Sequence, residues 1–344
     1  MLFRIKIIGT VLILAILTPM QGQDSLQTIV AEKGDGIYSI LRKFGLSPAQ
    51  HYHNFIALNE ADLKEDLTLL EGKAYVLPQV ENLNLVDSFS TTTVHNELST
   101  GVSHAIFGEK HALVTAVSER LKNNVYYLIS GHGGPDPGAI ATYAGTTIAE
   151  DEYAYDVTLR LAKELMSHGA TVYIIIQDPD DGIRDDRILA LDRDEVAYPN
   201  LDIPLGQLAR LEQRVAIVNR LYQENMGKYQ RLIVTHVDSR SEGKNIDVFF
   251  YHHEKSTHGK KLVESIHKTF QDKYKQHQPN RLYDGTFADR SGLYLIKNTK
   301  PAIAYIEIGN IRNTKDQKRI LDPVNRQALA NWISEGILLD FERK

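Results

Sequence analysis

The 344-residue chain contains no cysteine. That excludes disulfides and lipid attachment through cysteine, and leaves histidines and carboxylates to hold any metal. An excess of positive charge is also missing: the formal net charge is -5, which argues against a broad phosphate-binding surface and so against nucleic acid as a partner. Long apolar runs are few. The most prominent, Ile7 to Leu17, is too short for a comfortable membrane span. At 42% hydrophobic and 24% charged residues, the composition also excludes wholesale disorder.

What is present begins with that run. Arg4 and Lys6 precede it, and Thr18-Pro19 and Gln21-Gly22-Gln23-Asp24 follow it. A short cationic start, an apolar core and a small or polar flank describe a secretory signal peptide over residues 1–22. The expectation is therefore an exported protein, periplasmic or associated with the cell wall, with no stable membrane span once the signal is removed.

Residues 25–80 read as one small unit of order strand, helix, helix, strand. Thr28-Ile29-Val30 forms the first strand, and Ile37, Ile40, Leu41 and Phe44 recur at helical spacing. A second helix lies near Gln50 to Asn59, and Ala74 to Leu77 is the closing strand before Pro78. This order, with Val30-Ala-Glu-Lys-Gly-Asp-Gly-Ile-Tyr-Ser-Ile40 and Leu70-Glu-Gly-Lys-Ala-Tyr-Val-Leu-Pro78, resembles a LysM domain. The resemblance implies binding of N-acetylglucosamine-containing glycans, in a groove near Gly34–Ile37 and Asn59–Ala61. Residues 81–103 are mostly polar and read as a linker.

From residue 104 to the C-terminus, continuous apolar strands alternate with helices. Strands are expected at Val125–Ile129, Ala170–Ile176, Leu232–Thr235, Ile246–Tyr251 and Ala302–Ile308. Helices are expected near Asp151–Met166, Gly206–Glu224, His258–Tyr274 and Arg326–Asp340. The fold class that follows is α/β, a mostly parallel sheet with helices on both faces, preceded by the small βααβ unit.

Sites in such sheets form beyond the carboxyl ends of the strands. Val125–Ile129 leads into His132, and Leu232–Thr235 leads into His236. Two histidines leaving one sheet edge suit a catalytic metal that also takes a carboxylate. Either alone would more often be a strand-end residue with a satisfied hydrogen bond. Glu150, Asp151 and Glu152 are all available as the carboxylate, and Thr147-Ile-Ala-Glu150 also matches a capping box. Glu307 stands out within the nearly all-apolar Ala302–Ile308. An ionised carboxylate there is either paired, for example with Arg214, or is a general base beside a metal.

Five segments occur in order: Ser130-Gly-His-Gly-Gly-Pro-Asp-Pro-Gly-Ala139, Ile148-Ala-Glu-Asp-Glu152, Arg214-Val-Ala-Ile-Val-Asn219, Thr235-His-Val-Asp-Ser239 and Glu307-Ile-Gly-Asn310. Together they resemble the zinc-dependent N-acetylmuramoyl-L-alanine amidases. The resemblance implies one zinc ion with His132, Glu150 and His236 as ligands, Glu307 as catalytic glutamate, and peptidoglycan as substrate. In that family the ligand glutamate opens this helix ahead of a Leu-x-Leu pair that resembles Leu159 and Leu161, and the resemblance thus favours Glu150 over its two acidic neighbours.

Three departures from the family pattern stand out: Thr-His-Val-Asp around His236, Gly-Asn after Glu307, and a long acidic stretch from Asp178 to Pro204. That stretch reads first as a solvated loop, and second as a lid or the element that meets a regulatory protein partner. The other readings of the chain are a different zinc peptidase acting on stem peptides, and a catalytically silent wall-binding protein. The remaining histidines, including His252 and His253, carry no metal-ligand spacing to this set.

Overall fold

The computed structural model describes residues 27–32, 35–44, 46, 48–63, 69–78, 101–239, 247–283 and 285–343. The signal-peptide expectation and residues 81–100 of the linker lie outside these. The described residues form two compact units, one ending by Pro78 and the other starting from Gly101.

In the small unit, β1 (Thr28–Val30) is followed by α1 (Ile37–Lys43), α2 (Pro48–Asn59) and β2 (Ala74–Val76). The two strands pair antiparallel, with Thr28 opposite Val76. Ile37, Ile40, Leu41, Phe55, Tyr75 and Leu77 form its core. Asn59 is buried, and its amide joins helix to strand through Phe55 O, Val76 O and Val76 N. Of the groove positions named from the sequence, Ile37 and Asn59 therefore face inward, whereas Glu60 and Ala61 are exposed.

The large unit opens with a short pair, β3 (Val102–Ser103) and β4 (Leu113–Val114), so the last residues of the expected linker are already paired. Next come β5 (Val125–Ser130), a hairpin of β6 (Ile140–Tyr143) and β7 (Thr146–Ala149), and α3 (Glu150–Ser167). The chain continues through β8 (Thr171–Ile174), β9 (Ile176–Gln177), β10 (Val196–Ala197), β11 (Leu201–Asp202) and α4 (Gln207–Glu224). It ends with β12 (Gln230–Asp238), β13 (Phe249–His252), α5 (Thr257–His277), β14 (Phe287–Asp289), α6 (Tyr294–Asn298), β15 (Ala302–Asn310), α7 (Thr314–Leu321) and α8 (Pro323–Glu342).

The central sheet has the order β14-β13-β15-β12-β5-β8, parallel throughout except where β13 meets β15. Alternate residues along each strand face opposite sides. Tyr126, Leu128, Ile233, Ala304 and Ile306 enter a core built with α3, α5 and α8. Val125, Tyr127, Ile129, Leu232, Val234 and Ile303 enter a second core with α4 and α6. The helices thus cover both faces, as the uninterrupted apolar strands required.

One expected strand is divided. The run from Ala170 to Ile176 stays in the central sheet only to Ile174, and then Ile176 starts a separate three-stranded sheet of β9, β10 and β11. Ile174, Ile175 and Ile176 are all buried, so hydrophobicity continues across the break and hides it.

The helix α3 is the axis of the large unit. All its residues except Lys163 and Met166 are buried, as befits a helix packed on every side. Its Asp156 is fully buried and accepts from Arg160 Nε at 2.7 Å and Arg326 Nε at 2.6 Å, both equally buried. Burial alone would raise the Asp156 pKa, but the two guanidinium groups outweigh it and hold the carboxyl below its usual value. Removing one partner of a buried charge cluster leaves the others uncompensated. Asp156→Ala is therefore expected to destabilise the protein by about 3–5 kcal/mol in denaturant unfolding at neutral pH. In the parent, the Asp156 contribution should be lost as pH falls through its depressed folded-state pKa.

Candidate metal centre

The turn after β5 carries His132. Its φ of 64° lies in the left-handed region, and Gly133 and Gly134 follow at 96° and 65°. Three successive residues in this region make a tight reversal that turns the imidazole back over the sheet edge. Gly131 must lack a side chain, because a methyl there would overlap the His236 ring. At Gly138 a methyl would lie 2.6 Å from His132 Cδ2 and 2.8 Å from Glu150 Oε2.

His236 sits near the end of β12, beside β5 on one side and β15 on the other. The two rings meet edge to face, with centroids 5.0 Å apart. Tyr305, on β15, stacks on His236 at 4.7 Å and 13° between planes, which fixes the ring orientation. Thr235, the preceding residue, bonds Thr158 of α3 at 2.5 Å and so ties β12 to the helix that carries the carboxylate.

Glu150 is the first residue of α3, and it lies between the histidines. Its Oε1 is 2.8 Å from His236 Nδ1, and its Oε2 is 3.3 Å from His132 Nε2. The same carboxylate accepts from Ala139 N at 3.0 Å and Val237 N at 2.9 Å. The capping-box reading of Thr147–Glu150 is corrected by this geometry. Ala149 caps the helix without a side-chain bond, and the Glu150 carboxylate reaches the histidines and these two amides. Asp151 turns elsewhere, with one oxygen on Glu152 N, while Glu152 pairs with Arg184 at 3.0 Å.

The electrostatics follow from these contacts. Burial would raise the Glu150 pKa, but hydrogen bonds from His132 and His236 hold it well below the usual carboxylate range. Burial lowers His132, yet Asp136 and Glu150 together push it up to about 10. His236 goes the other way. Burial dominates, aided by the neighbouring His132 and Arg214 charges, and its pKa is lowered.

Glu307 is 6% exposed and lies on β15 directly across from His236 in the parallel register. Paired residues of neighbouring strands project from the same face, so both side chains leave the sheet together. Arg214, which the sequence offered as an ion-pair partner of Glu307, donates to the backbone carbonyl of His132. Burial, followed by the nearby Arg210 charge, lowers the Arg214 pKa to about 10, and it remains a cation at neutral pH.

Two residues escaped the sequence reading. Asp136 Oδ2 lies 3.0 Å from His132 Nδ1, so His132 presents Nε2 to the centre and is oriented through its other nitrogen. Arg210 Nη2 donates to the same Asp136 oxygen at 2.7 Å. Asp136 sits in a Gly-Pro-Asp-Pro-Gly turn that reads as loop chemistry. The spacing of Arg210, one helical turn before Arg214 on α4, was the available signal.

His132, Glu150 and His236 each offer a donor atom, all within 4.8 Å of one another. Ligands about 2.0–2.1 Å from one tetrahedral zinc stand roughly 3.3 Å apart, close to the spacings seen here. Two imidazoles and one carboxylate are also the donor set of open, catalytic zinc sites. Within the acidic stretch, Asp178, Asp180, Asp192 and Asp194 likewise bring carboxylate oxygens within 4.8 Å of one another.

The sequence profile of the N-acetylmuramoyl-L-alanine amidase family matches residues 127–338. The germination-specific N-acetylmuramoyl-L-alanine amidase of Bacillus subtilis (strain 168) is 25% identical over 225 residues, covering 65% of this chain and 82% of the relative. Among solved structures, the CwlD amidase from Clostridioides difficile, in complex with the GerS lipoprotein, superposes with a TM-score of 0.49 at 20% identity, covering 64% of this chain and all of that one. The amidase AmiC2 of Nostoc punctiforme gives 0.45 at 19% identity, covering 66% and 99%. The family match alone spans well over half of the sequence, and the chain belongs to the N-acetylmuramoyl-L-alanine amidase family.

Proposed function

We propose that His132, Glu150 and His236 hold one zinc ion, and that Glu307 serves as general base and then general acid. The reaction is the family's own: hydrolysis of the amide bond between the N-acetylmuramic acid lactyl group and L-alanine of peptidoglycan stem peptides. The observation that supports this reading most is the convergence of three donors on one point, with Glu307 in the adjoining register position.

When bound, zinc polarises the scissile carbonyl and lowers the pKa of a water beside it. The chain's own residues do the rest. His132 is held by Asp136 so that Nε2 faces the centre. Stacking on Tyr305 and the bond to Glu150 keep His236 Nδ1 turned the same way. Glu307 takes the proton of the attacking water and returns it to the departing L-alanine amine. Its strand neighbours Ile306 and Ile308 are buried in the core on the opposite face, which fixes the strand that presents Glu307.

The small unit is proposed to be a LysM-like glycan-binding domain that keeps the enzyme on the wall; its strand–helix–helix–strand order supports this. Export behind residues 1–22 belongs to the same reading, as does a regulatory protein partner. Leu205 and Leu208, strongly exposed at the end of the acidic stretch and the start of α4, offer such a partner apolar contact. Among the described residues no helix is long and apolar enough to cross a membrane.

Four outcomes are expected. The purified protein should hold one zinc per chain, lose activity on peptidoglycan after chelation and regain it with added zinc. The products should carry free lactyl groups and N-terminal L-alanine by mass spectrometry, whereas cuts within the stem peptide would mark a peptidase. Glu307→Gln should keep its zinc and its wall binding but lose kcat on the order of 100- to 10,000-fold; unchanged turnover would remove Glu307 from the mechanism. Deleting residues 25–80 should weaken sedimentation with insoluble peptidoglycan and leave hydrolysis of soluble fragments intact. Equal sedimentation of the truncated enzyme would contradict the glycan-binding role.

A further inference from the structure

The acidic stretch from Asp178 to Pro204 is not the solvated loop its charge suggests. Asp178, Ile183, Leu189, Glu195 and Ala197 are buried, and β9, β10 and β11 pair within or beside it. It is fastened to α3 and α8 from its beginning. Arg184 N donates to Asp156 at 2.8 Å, and Arg326 Nη2 donates to the carbonyls of Arg184 and Asp186 at 2.8 and 2.9 Å. Further along, Asp192 N donates to Glu152 at 3.2 Å.

From this anchored base the stretch reaches the turn that carries His132 by two routes. The first is Glu195, 7% exposed, whose Oε2 accepts from Gly134 N at 2.6 Å. Ile203 packs against the same glycine, where an added methyl would lie 3.1 Å away. The second runs through Arg210. Its Nη1 donates to the carbonyls of Pro204 at 3.4 Å and Leu205 at 2.5 Å. Its Nη2 donates to Asp136, which in turn orients His132.

The turn has reason to need this support. His132, Gly133 and Gly134 all hold left-handed φ values, and a non-glycine residue there costs roughly 1–2 kcal/mol of backbone strain. A strained turn keeps its shape only where its surroundings over-determine it. Here the surroundings are an acceptor on Gly134 N, a side chain against Gly134, and a guanidinium on the histidine's carboxylate partner.

We propose that Glu195 and Arg210 are positioning residues of the metal centre, and that residues 178–204 form a clamp holding His132 where it can bind metal. This rests on the reading that His132, Glu150 and His236 hold zinc. Glu195 acts as a hydrogen-bond acceptor on the turn, so glutamine, which keeps a carbonyl oxygen in the same place, serves nearly as well.

The test is the zinc dissociation constant of the full chain, measured by competition with a chromophoric chelator, alongside thermal unfolding of the metal-free protein. Glu195→Ala should weaken zinc binding by about 10- to 100-fold, as loss of a ligand's supporting partner does elsewhere, and Arg210→Lys should weaken it in the same direction. Glu195→Gln should restore affinity close to the parent. Asp186→Asn, exposed in the same stretch and outside both groups of clustered metal-type ligands, should bind zinc like the parent. If Glu195→Ala fails to fold, Arg210→Lys and Glu195→Gln carry the comparison. Parent-like affinity in Glu195→Ala, or in Arg210→Lys where Glu195→Ala does not fold, overturns the clamp while leaving the zinc centre standing; so does equal weakening in Asp186→Asn. A parent that takes up no zinc removes the centre itself, and the clamp with it.

Discussion

The large unit depends on one buried carboxylate. Glu150 stands at the first turn of α3, accepts two backbone amides, and faces both His132 and His236. A buried carboxylate is costly unless positive charge or hydrogen-bond donors surround it. Here four donors come from two separate places in the chain: His132 and Ala139 in the segment after β5, and His236 and Val237 on β12. Satisfying this one group therefore fixes the distance between α3, the end of β5 and the end of β12. The fold and the site share a single constraint, and Asp156, further along the same helix, secures the far side with Arg160 and Arg326.

Around that carboxylate the support becomes progressively less local. Asp136 lies four residues from the histidine it orients. Arg210 comes from α4, and Glu195 from a stretch inserted between sheet and helix. Each layer fixes the layer inside it, which is how a strained histidine turn keeps one shape at the edge of a sheet. The stretch looks solvated in sequence because the groups that hold it, Lys110 and Arg160 on Asp185 and Arg326 on the Arg184 and Asp186 carbonyls, lie outside it in the chain. Folding brings them together under α3.

Much of the fold was legible because buried strands leave uninterrupted apolar runs, and β5, β12 and β15 were found within a few residues of their ends. The place where Ala170–Ile176 leaves the central sheet was not legible, since both sides of the break are buried. Glu307 was legible as a charge in an apolar strand, and His132 and His236 as residues at strand ends. Glu150 was ambiguous for a physical reason: a carboxylate at a helix start satisfies backbone donors in many proteins, and only the tertiary approach of β12 shows which donors it meets. Asp136 was hidden in a turn that reads as loop chemistry, Arg210 was marked only by its helical spacing from Arg214, and Glu195 was invisible because its partner Gly134 is distant in sequence.

The central claim is that two imidazoles and one carboxylate surround a single zinc ion. X-ray absorption at the zinc edge of the purified, active protein addresses it directly. The account predicts a first shell of nitrogen and oxygen near 2.0–2.1 Å with the multiple-scattering pattern of two imidazoles, reduced to one in His236→Ala. A shell with one imidazole or none in the parent, or a pattern unchanged by His236→Ala, would contradict it.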